Sequence, residues 1–221
     1  ATPEVRQDII RRLDIPGASI VCTGFDRPNL HFAVQRTRDK DRSLLEFLRK
    51  HDKQCGVIYC ATRSKVESVT QQLQRHGFKA LRYHAGLTPE ERRNNQNAFV
   101  GGLVPLIVAT NAFGMGIDKS NVRFVLHYNM PQSMENYYQE AGRAGRDGLP
   151  SQCVLLFSAQ DVIINKFLLD KKDFDEMDDE EADLLRQRDL QRLQTMERYC
   201  QTTECLRNYI LAYFGEHPTA P

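Results

Sequence analysis

The sequence predicts an α/β fold: a parallel sheet with helices on both faces, followed by a short all-helical appendage. Three observations carry this reading. Short apolar runs such as 55–60, 105–109 and 122–127 have the length and continuity of strands buried on both faces. Segments long enough for helices lie between most of them, and several carry capping residues at their starts. Past an acidic run at 170–183, only helical patterning remains. Strands alternating with helices require right-handed crossovers, which cover both faces and leave ligand loops at one edge.

The elements follow in order. Thr2 and Pro3 make an N-cap and first-turn pair for a helix running to about Leu13. Strands near 19–23 and 31–36 bracket the turn FDRPNL, and a helix at 41–50 follows. Next come strand 55–60, helix 63–76 stopped by Gly77, strand 79–83, helix 88–100 opened by Thr88 and Pro89, and strand 105–109. Strand 122–127, helix 133–141 and strand 152–157 complete the pattern, and from about 181 to 214 the chain is helical. Three regions result: a leading helix at 1–18, an α/β domain at 19–169, and an acidic linker with helices at 170–221.

Composition narrows the function classes. The chain has 221 residues, 41% of them hydrophobic, enough for one good core plus an appendage. A formal net charge of +1 gives no global field for nucleic acid, so any such contact must come from locally placed groups. No apolar run approaches the roughly 18 residues of a membrane span, and nothing resembles a signal peptide. These features predict a cytoplasmic protein; a bacterial cytoplasm or nucleoid is expected ahead of a nucleus, although nothing in composition carries that preference. The acidic run reads as a solvated loop or helix start that marks a boundary.

The chemistry concentrates in YYQEAGRAGRDG at 137–148, where Arg143 and Arg146 sit among Gly142, Gly145 and Gly148. Guanidinium forks match phosphate oxygens, and glycine lets the backbone approach a ligand without a Cβ in the way. Alone, such a segment is equally a solvated turn. A second glycine loop, NAFGMGID at 111–118, follows the apolar run LIVAT. The two loops together suggest one site at the carboxyl edge of the sheet.

FDRPNL at 25–30, GVIYCATR at 56–63, YHAGL at 83–87, IVATNAFGMGIDKSNVRFVLHYNMP at 107–131 and YYQEAGRAGRDGLP at 137–150 occur in this order. With them the chain resembles the RecQ family of DNA helicases, within helicase superfamily 2. The resemblance implies a RecA-like sheet, the second of two motor domains. Gln139, where many RNA-helicase relatives place His, and the AFGMGI run favour RecQ over those relatives.

By that resemblance, Arg146 is the arginine that stabilises phosphoryl-transfer charge, Arg143 lies beside it on the phosphates, and Gln139 couples the site to its neighbours. Gly114, Gly116 and Asp118 form the loop that approaches the nucleotide. No GxxxxGK[ST] loop and no DExH box occurs in the sequence. ATP and Mg2+ are therefore expected mainly on an absent first motor domain, acting in cis, and this stretch alone is expected to lack ATPase activity. The opening segment looks like the one that follows that domain. Single-stranded and forked DNA are the implied partners, contacted through Thr62, Arg63, His84, Thr110 and Asn111. Each contact has a plainer reading: Thr62 as a helix cap, His84 as a packed, hydrogen-bonded side chain. The family's polarity is three-prime to five-prime. Two other readings stand beside this one, a superfamily 2 RNA motor and a non-catalytic interaction module with the same fold.

Cys22, Cys55, Cys60 and Cys153 lie in or beside apolar strands and read as small hydrophobes. MERYCQTTECLRNYILAYFGE at 196–216 resembles the helical start of the zinc-binding subdomain that follows the RecQ motor. Cys205 matches the family ligand, and Cys200 does not obviously do so. A closed zinc site needs about four ligands, so none is expected within this stretch, and Zn2+ belongs to the longer protein. The final helices are expected to be less well anchored, although Leu206, Ile210, Leu211, Tyr213 and Phe214 offer an apolar stripe.

Overall fold

Strand formation follows the apolar runs, and crossover helices follow the capping residues between them. A computed structural model describes residues 3–15, 17–19, 21, 24–114, 119–171 and 178–216. In it the chain forms α1 (Pro3–Arg12), β1 (Leu30–Arg36), α2 (Lys40–Lys50), β2 (Gly56–Tyr59), α3 (Arg63–Arg75), β3 (Ala80–Tyr83) and α4 (Pro89–Val100). Then come β4 (Leu106–Ala109), β5 (Phe124–His127), α5 (Met134–Ala141), β6 (Ser151–Phe157), α6 (Ala159–Asp170), α7 (Asp179–Gln201) and α8 (Leu206–Tyr213). The strands make one six-stranded sheet in the order β1-β6-β5-β2-β4-β3, every pair parallel.

The strand period of two sorts side chains onto two faces. On one face Ile58, Val108, Leu126, Val154 and Leu156 pack with Leu44 and Leu48 of α2 and Val66, Val69 and Leu73 of α3. On the other, Val57, Ile107, Val125, Cys153 and Leu155 pack with Phe99 of α4 and with Met134, Tyr137 and Ala141 of α5. Thr62 and Thr88 start their helices as expected, accepting from the Lys65 and Glu91 amides, and Ser133, not singled out in the sequence, caps α5 by accepting from Asn136.

Two expectations need correction, and one helix was not anticipated. The strand expected near 19–23 lies partly outside the described residues; Ser19 and Val21 are not in a strand, and Val21 is 87% exposed, so it has no face to bury. Cys22 is also outside the described residues. Helix α6 was not anticipated, although Ser158 and Asp161 carry its start: the Ser158 amide donates to Asp161 Oδ2 at 2.9 Å.

The last helices are firmly anchored, contrary to expectation. Leu193, Met196, Tyr199 and Cys200 of α7 and Ile210 and Phe214 of the α8 region join the core beneath α5. Arg207 donates to Asp26 at 2.6 Å and to the Leu30 carbonyl at 2.5 Å, and Phe214 stacks on Phe25 at 4.4 Å between centroids. The apolar stripe therefore closes on the FDRPNL turn. No helix among the described residues is long and apolar enough to cross a membrane.

Candidate functional site

The candidate groups fall on two sides of the sheet, and strand direction explains why. All strands are parallel, so β2, β3 and β4 end together: Tyr59 and Tyr83 are both in register with Ala109. The residues that follow, Thr62 and Arg63, His84, and Thr110 and Asn111, therefore line one carboxyl edge. Helix α5 must return to the opposite edge before β6 can begin. Arg143 and Arg146 consequently sit by the amino ends of β1, β5 and β6, which corrects the expectation that both loops share the carboxyl edge. Gly145 N donates to the Val122 carbonyl at 2.9 Å, and Asn29 Nδ2 donates to the Gly145 and Leu149 carbonyls at 2.8 and 3.0 Å.

This arginine segment is held by its backbone. Arg27 Nη2 donates to the carbonyls of Ala144 and Gly145 at 3.1 and 3.0 Å, so FDRPNL serves as its clamp. Gly145 adopts φ +57°, and a Cβ there would lie 2.8 Å from Ser151 Oγ and 2.9 Å from the Leu149 carbonyl. Only glycine satisfies both the conformation and the space.

Arg143 reaches across to the second glycine loop. Its Nη1 donates to the Gly114 carbonyl at 2.5 Å, while its Nε is buried without a partner. Gly114 has φ +138°, and a Cβ on it would overlap the Arg143 guanidinium. The same loop is fixed from below, where Tyr59 OH donates to the Phe113 carbonyl at 2.9 Å. Burial pushes the Tyr59 phenol well above its ordinary range, with the nearby Arg143 charge opposing that rise. Arg146 and Gln139 are exposed. Gly116 and Asp118 lie outside the described residues.

The carboxyl-edge candidates have structural partners of their own. Thr62 caps α3, and Arg63, the first residue of that helix, is exposed. His84 is buried, with Nε2 on Glu67 Oε1 at 2.8 Å and Nδ1 accepting from the Gly86 amide at 3.2 Å, which places the ring proton on Nε2. Thr110 is buried at the strand end and accepts from the Ala112 amide at 3.4 Å, whereas Asn111 is exposed. These contacts match the plainer readings of Thr62 and His84 and leave Arg63 and Asn111 open to a ligand.

Sequence reasoning missed the polar group that holds this edge together. Lys40 Nζ lies 2.7 and 2.5 Å from the two Asp161 oxygens and 2.7 Å from the Tyr128 carbonyl. Asn129 donates to Asp161 at 3.0 Å and accepts from the Ala61 amide at 3.2 Å. Burial lowers the Lys40 pKa, and the Asp161 charge opposes that shift. The Ser158-x-x-Asp161 capping pattern was the available signal, although its partner lies 121 positions away.

Cysteine chemistry is quiet. Burial pushes the Cys153 thiol up to about 12 and the Cys55 thiol up to about 11. Cys200 is buried and Cys205 is exposed. The described residues hold no group of three or more His, Cys, Asp or Glu able to bind a metal. Cys205 alone does not make a zinc site.

Comparison with known proteins agrees with this architecture. Residues 39–148 match the helicase conserved C-terminal domain, and residues 159–221 match RecQ zinc-binding. ATP-dependent DNA helicase RecQ of Bacillus subtilis is 46% identical over 98% of this chain, which covers 35% of that protein. ATP-dependent DNA helicase hus2/rqh1 of Schizosaccharomyces pombe is 41% identical over 96% of the chain and 16% of its own length. Among solved structures, the Escherichia coli DEAD-box protein SrmB, bound to regulator of ribonuclease activity A, superposes with a TM-score of 0.53 at 23% identity. That match covers 60% of this chain and 79% of SrmB and speaks to the fold alone. With the helicase C-terminal RecA-like sheet, the RecQ zinc-binding match and the relatives' identities together, this chain belongs to the RecQ family.

Proposed function

We propose that this chain is the second motor half of an ATP-dependent DNA helicase that unwinds duplexes with three-prime to five-prime polarity. One observation supports it most: a single sheet presents an arginine segment at one edge and, at the other, polar strand-end residues of which Arg63 and Asn111 are exposed. A motor half needs these two surfaces, one toward a nucleotide and one toward a strand.

In this reading ATP and Mg2+ are held mainly by a first RecA-like domain in cis. Arg146 stabilises the charge that develops on the transferred phosphoryl group, and Arg143 braces the nucleotide-facing glycine loop and reaches the phosphates. Gln139, on the exposed side of α5, couples the two domains. Nucleotide binding draws the arginine segment toward the partner domain, and phosphate release lets it withdraw. Gly116 and Asp118 complete the nucleotide side.

At the carboxyl edge, Thr62, Arg63, His84, Thr110 and Asn111 contact single-stranded or forked DNA, chiefly at the phosphates. Grip of that kind has little base preference and weakens with salt. Cys205 contributes one ligand to a zinc site completed by the longer protein, and this stretch alone does not hydrolyse ATP.

The test is DNA-stimulated ATPase activity of the full-length protein carrying Arg146→Ala. Turnover falls by about 10³-fold, roughly 4 kcal/mol of transition-state stabilisation, while nucleotide affinity changes little. Normal turnover in that variant overturns the assignment.

A further inference from the structure

Helix α5 carries Gln139 and leads into Arg143, so its position along the sheet sets where the arginines stand. Apolar contacts from Met134, Tyr137 and Ala141 hold it against the sheet, but contacts of this kind do not fix axial position sharply. Directional ties do: Tyr138 OH donates to the Phe25 carbonyl at 2.6 Å and Cys153 Sγ to the Ala141 carbonyl at 3.5 Å, and a third joins α5 to β5 deep in the core. His127, at the end of β5 and fully buried, has Nε2 2.8 Å from Glu140 Oε2, and Glu140 is itself 8% exposed. The carboxylate accepts from Nε2–H, and Nδ1 is buried without a partner.

Glu140 is tied at both ends. Its backbone carbonyl accepts from the Arg143 amide at 3.2 Å, while its side chain grips β5. The imidazole is fixed in turn: it stacks on Tyr59 at 5.4 Å and 21°, and Tyr137 packs beside it at 5.0 Å. Tyr59 is the residue whose hydroxyl holds the Phe113 carbonyl, next to the Gly114 carbonyl that receives Arg143. Tyr59, His127, Glu140 and the half-buried Arg143 therefore form one connected unit joining β2, β5, α5 and the glycine loop. A cavity of about 100 Å³ lies beside this unit at the carboxyl edge, and its lining includes Tyr59, Asn111, His127, Asn129, Asn136 and Glu140.

A structural role alone explains little of this arrangement. Burying a carboxylate costs several kcal/mol, and a histidine–carboxylate pair inside a core is often replaceable by apolar residues without loss of stability. The pair supplies direction, which apolar packing cannot. We infer that Glu140 and His127 are positioning residues for ATP hydrolysis, locking α5 in the axial position that sets Arg143 across the glycine loop. This inference rests on the nucleotide-facing role assigned to the arginine segment.

The test uses the full-length protein and four variants: Arg143→Ala, Glu140→Ala, Glu140→Gln and the double variant His127→Phe/Glu140→Leu. DNA-stimulated kcat and the KM for ATP are measured for each. A displacement of about 1 Å in a catalytic group can cost about 100-fold, so Glu140→Ala lowers kcat by about 10- to 100-fold with KM changed less than about twofold. Glu140→Gln, whose carbonyl still accepts from Nε2–H, recovers kcat to within about threefold of wild type. The apolar double variant fills the space but lacks direction, and it keeps the kcat defect. Wild-type kcat in the double variant overturns the inference, as does an effect confined to KM or a loss that the Gln variant does not recover. Normal turnover in Arg143→Ala overturns both this inference and the reading beneath it. A dead Arg143→Ala beside normal Glu140 variants overturns this inference alone.

Discussion

The two edges of the sheet solve the same problem, holding polar groups ready for a charged ligand, in opposite ways. At the amino edge the arginine segment is fixed through its backbone: Arg27 and Asn29 grip its carbonyls, Gly145 turns where no other residue fits, and Arg143 spans to Gly114. At the carboxyl edge, side chains tie the strand ends to one another through Lys40, Asn129 and Asp161. Backbone fixation leaves an exposed guanidinium at Arg146 on a rigid base. Side-chain fixation occupies several of the polar groups present, and of the candidate contacts Arg63 and Asn111 are the exposed ones. Under the proposed function, the difference teaches that a cation acting on a transition state is mounted on fixed backbone, whereas a strand grip uses a few outward groups on a well-tied edge.

Substitutions separate the two modes. The largest effect on stability belongs to Asp161→Ala, which leaves the Lys40 ammonium buried without its partner; urea unfolding should register a loss of about 3–5 kcal/mol. If that variant unfolds at wild-type denaturant, the carboxyl edge is not held by its side chains. Next comes Gly145→Ala at the other edge, where the left-handed backbone and the crowding together cost about 1–3 kcal/mol. Under the proposed function, ATP turnover of the full-length protein should lose more in free-energy terms than its stability does, because the segment the substitution distorts carries both arginines. Equal small effects on both would show that the turn is not what places them. The smallest effect is expected from Arg63→Ala: DNA affinity weakens by about 1 kcal/mol and the slope of log affinity against log salt drops by about one, as for a lost phosphate contact. An unchanged salt slope removes Arg63 from the strand contact.

Much of the fold was legible because its signals were local. Thr62 and Thr88 announce α3 and α4, and the apolar runs at Gly56–Tyr59, Leu106–Ala109 and Phe124–His127 have the length of buried strands. The site was legible in composition and not in placement. Arg143 and Arg146 stand out in sequence, yet which edge they occupy depends on the direction of α5 relative to β5, a property of topology. Partners far apart in sequence stayed hidden for the same reason. Arg27 meets Gly145 across 118 positions, and Lys40 meets Asp161 across 121. Helix α6 escaped because its apolar residues do not favour one face: Ile163 and Phe167 are exposed while Asn165 is buried.

The account stands on the claim that the arginine segment meets a nucleotide supplied by another domain. The most direct measurement is a structure of the full-length protein with DNA and an ADP–aluminium fluoride complex, which mimics the phosphoryl group in transfer. The prediction is an Arg146 guanidinium nitrogen within about 3 Å of a fluoride, with Arg143 still on the Gly114 carbonyl or on a phosphate oxygen. A closed nucleotide site with no guanidinium from this chain, its charge met by the first domain alone, would contradict the account.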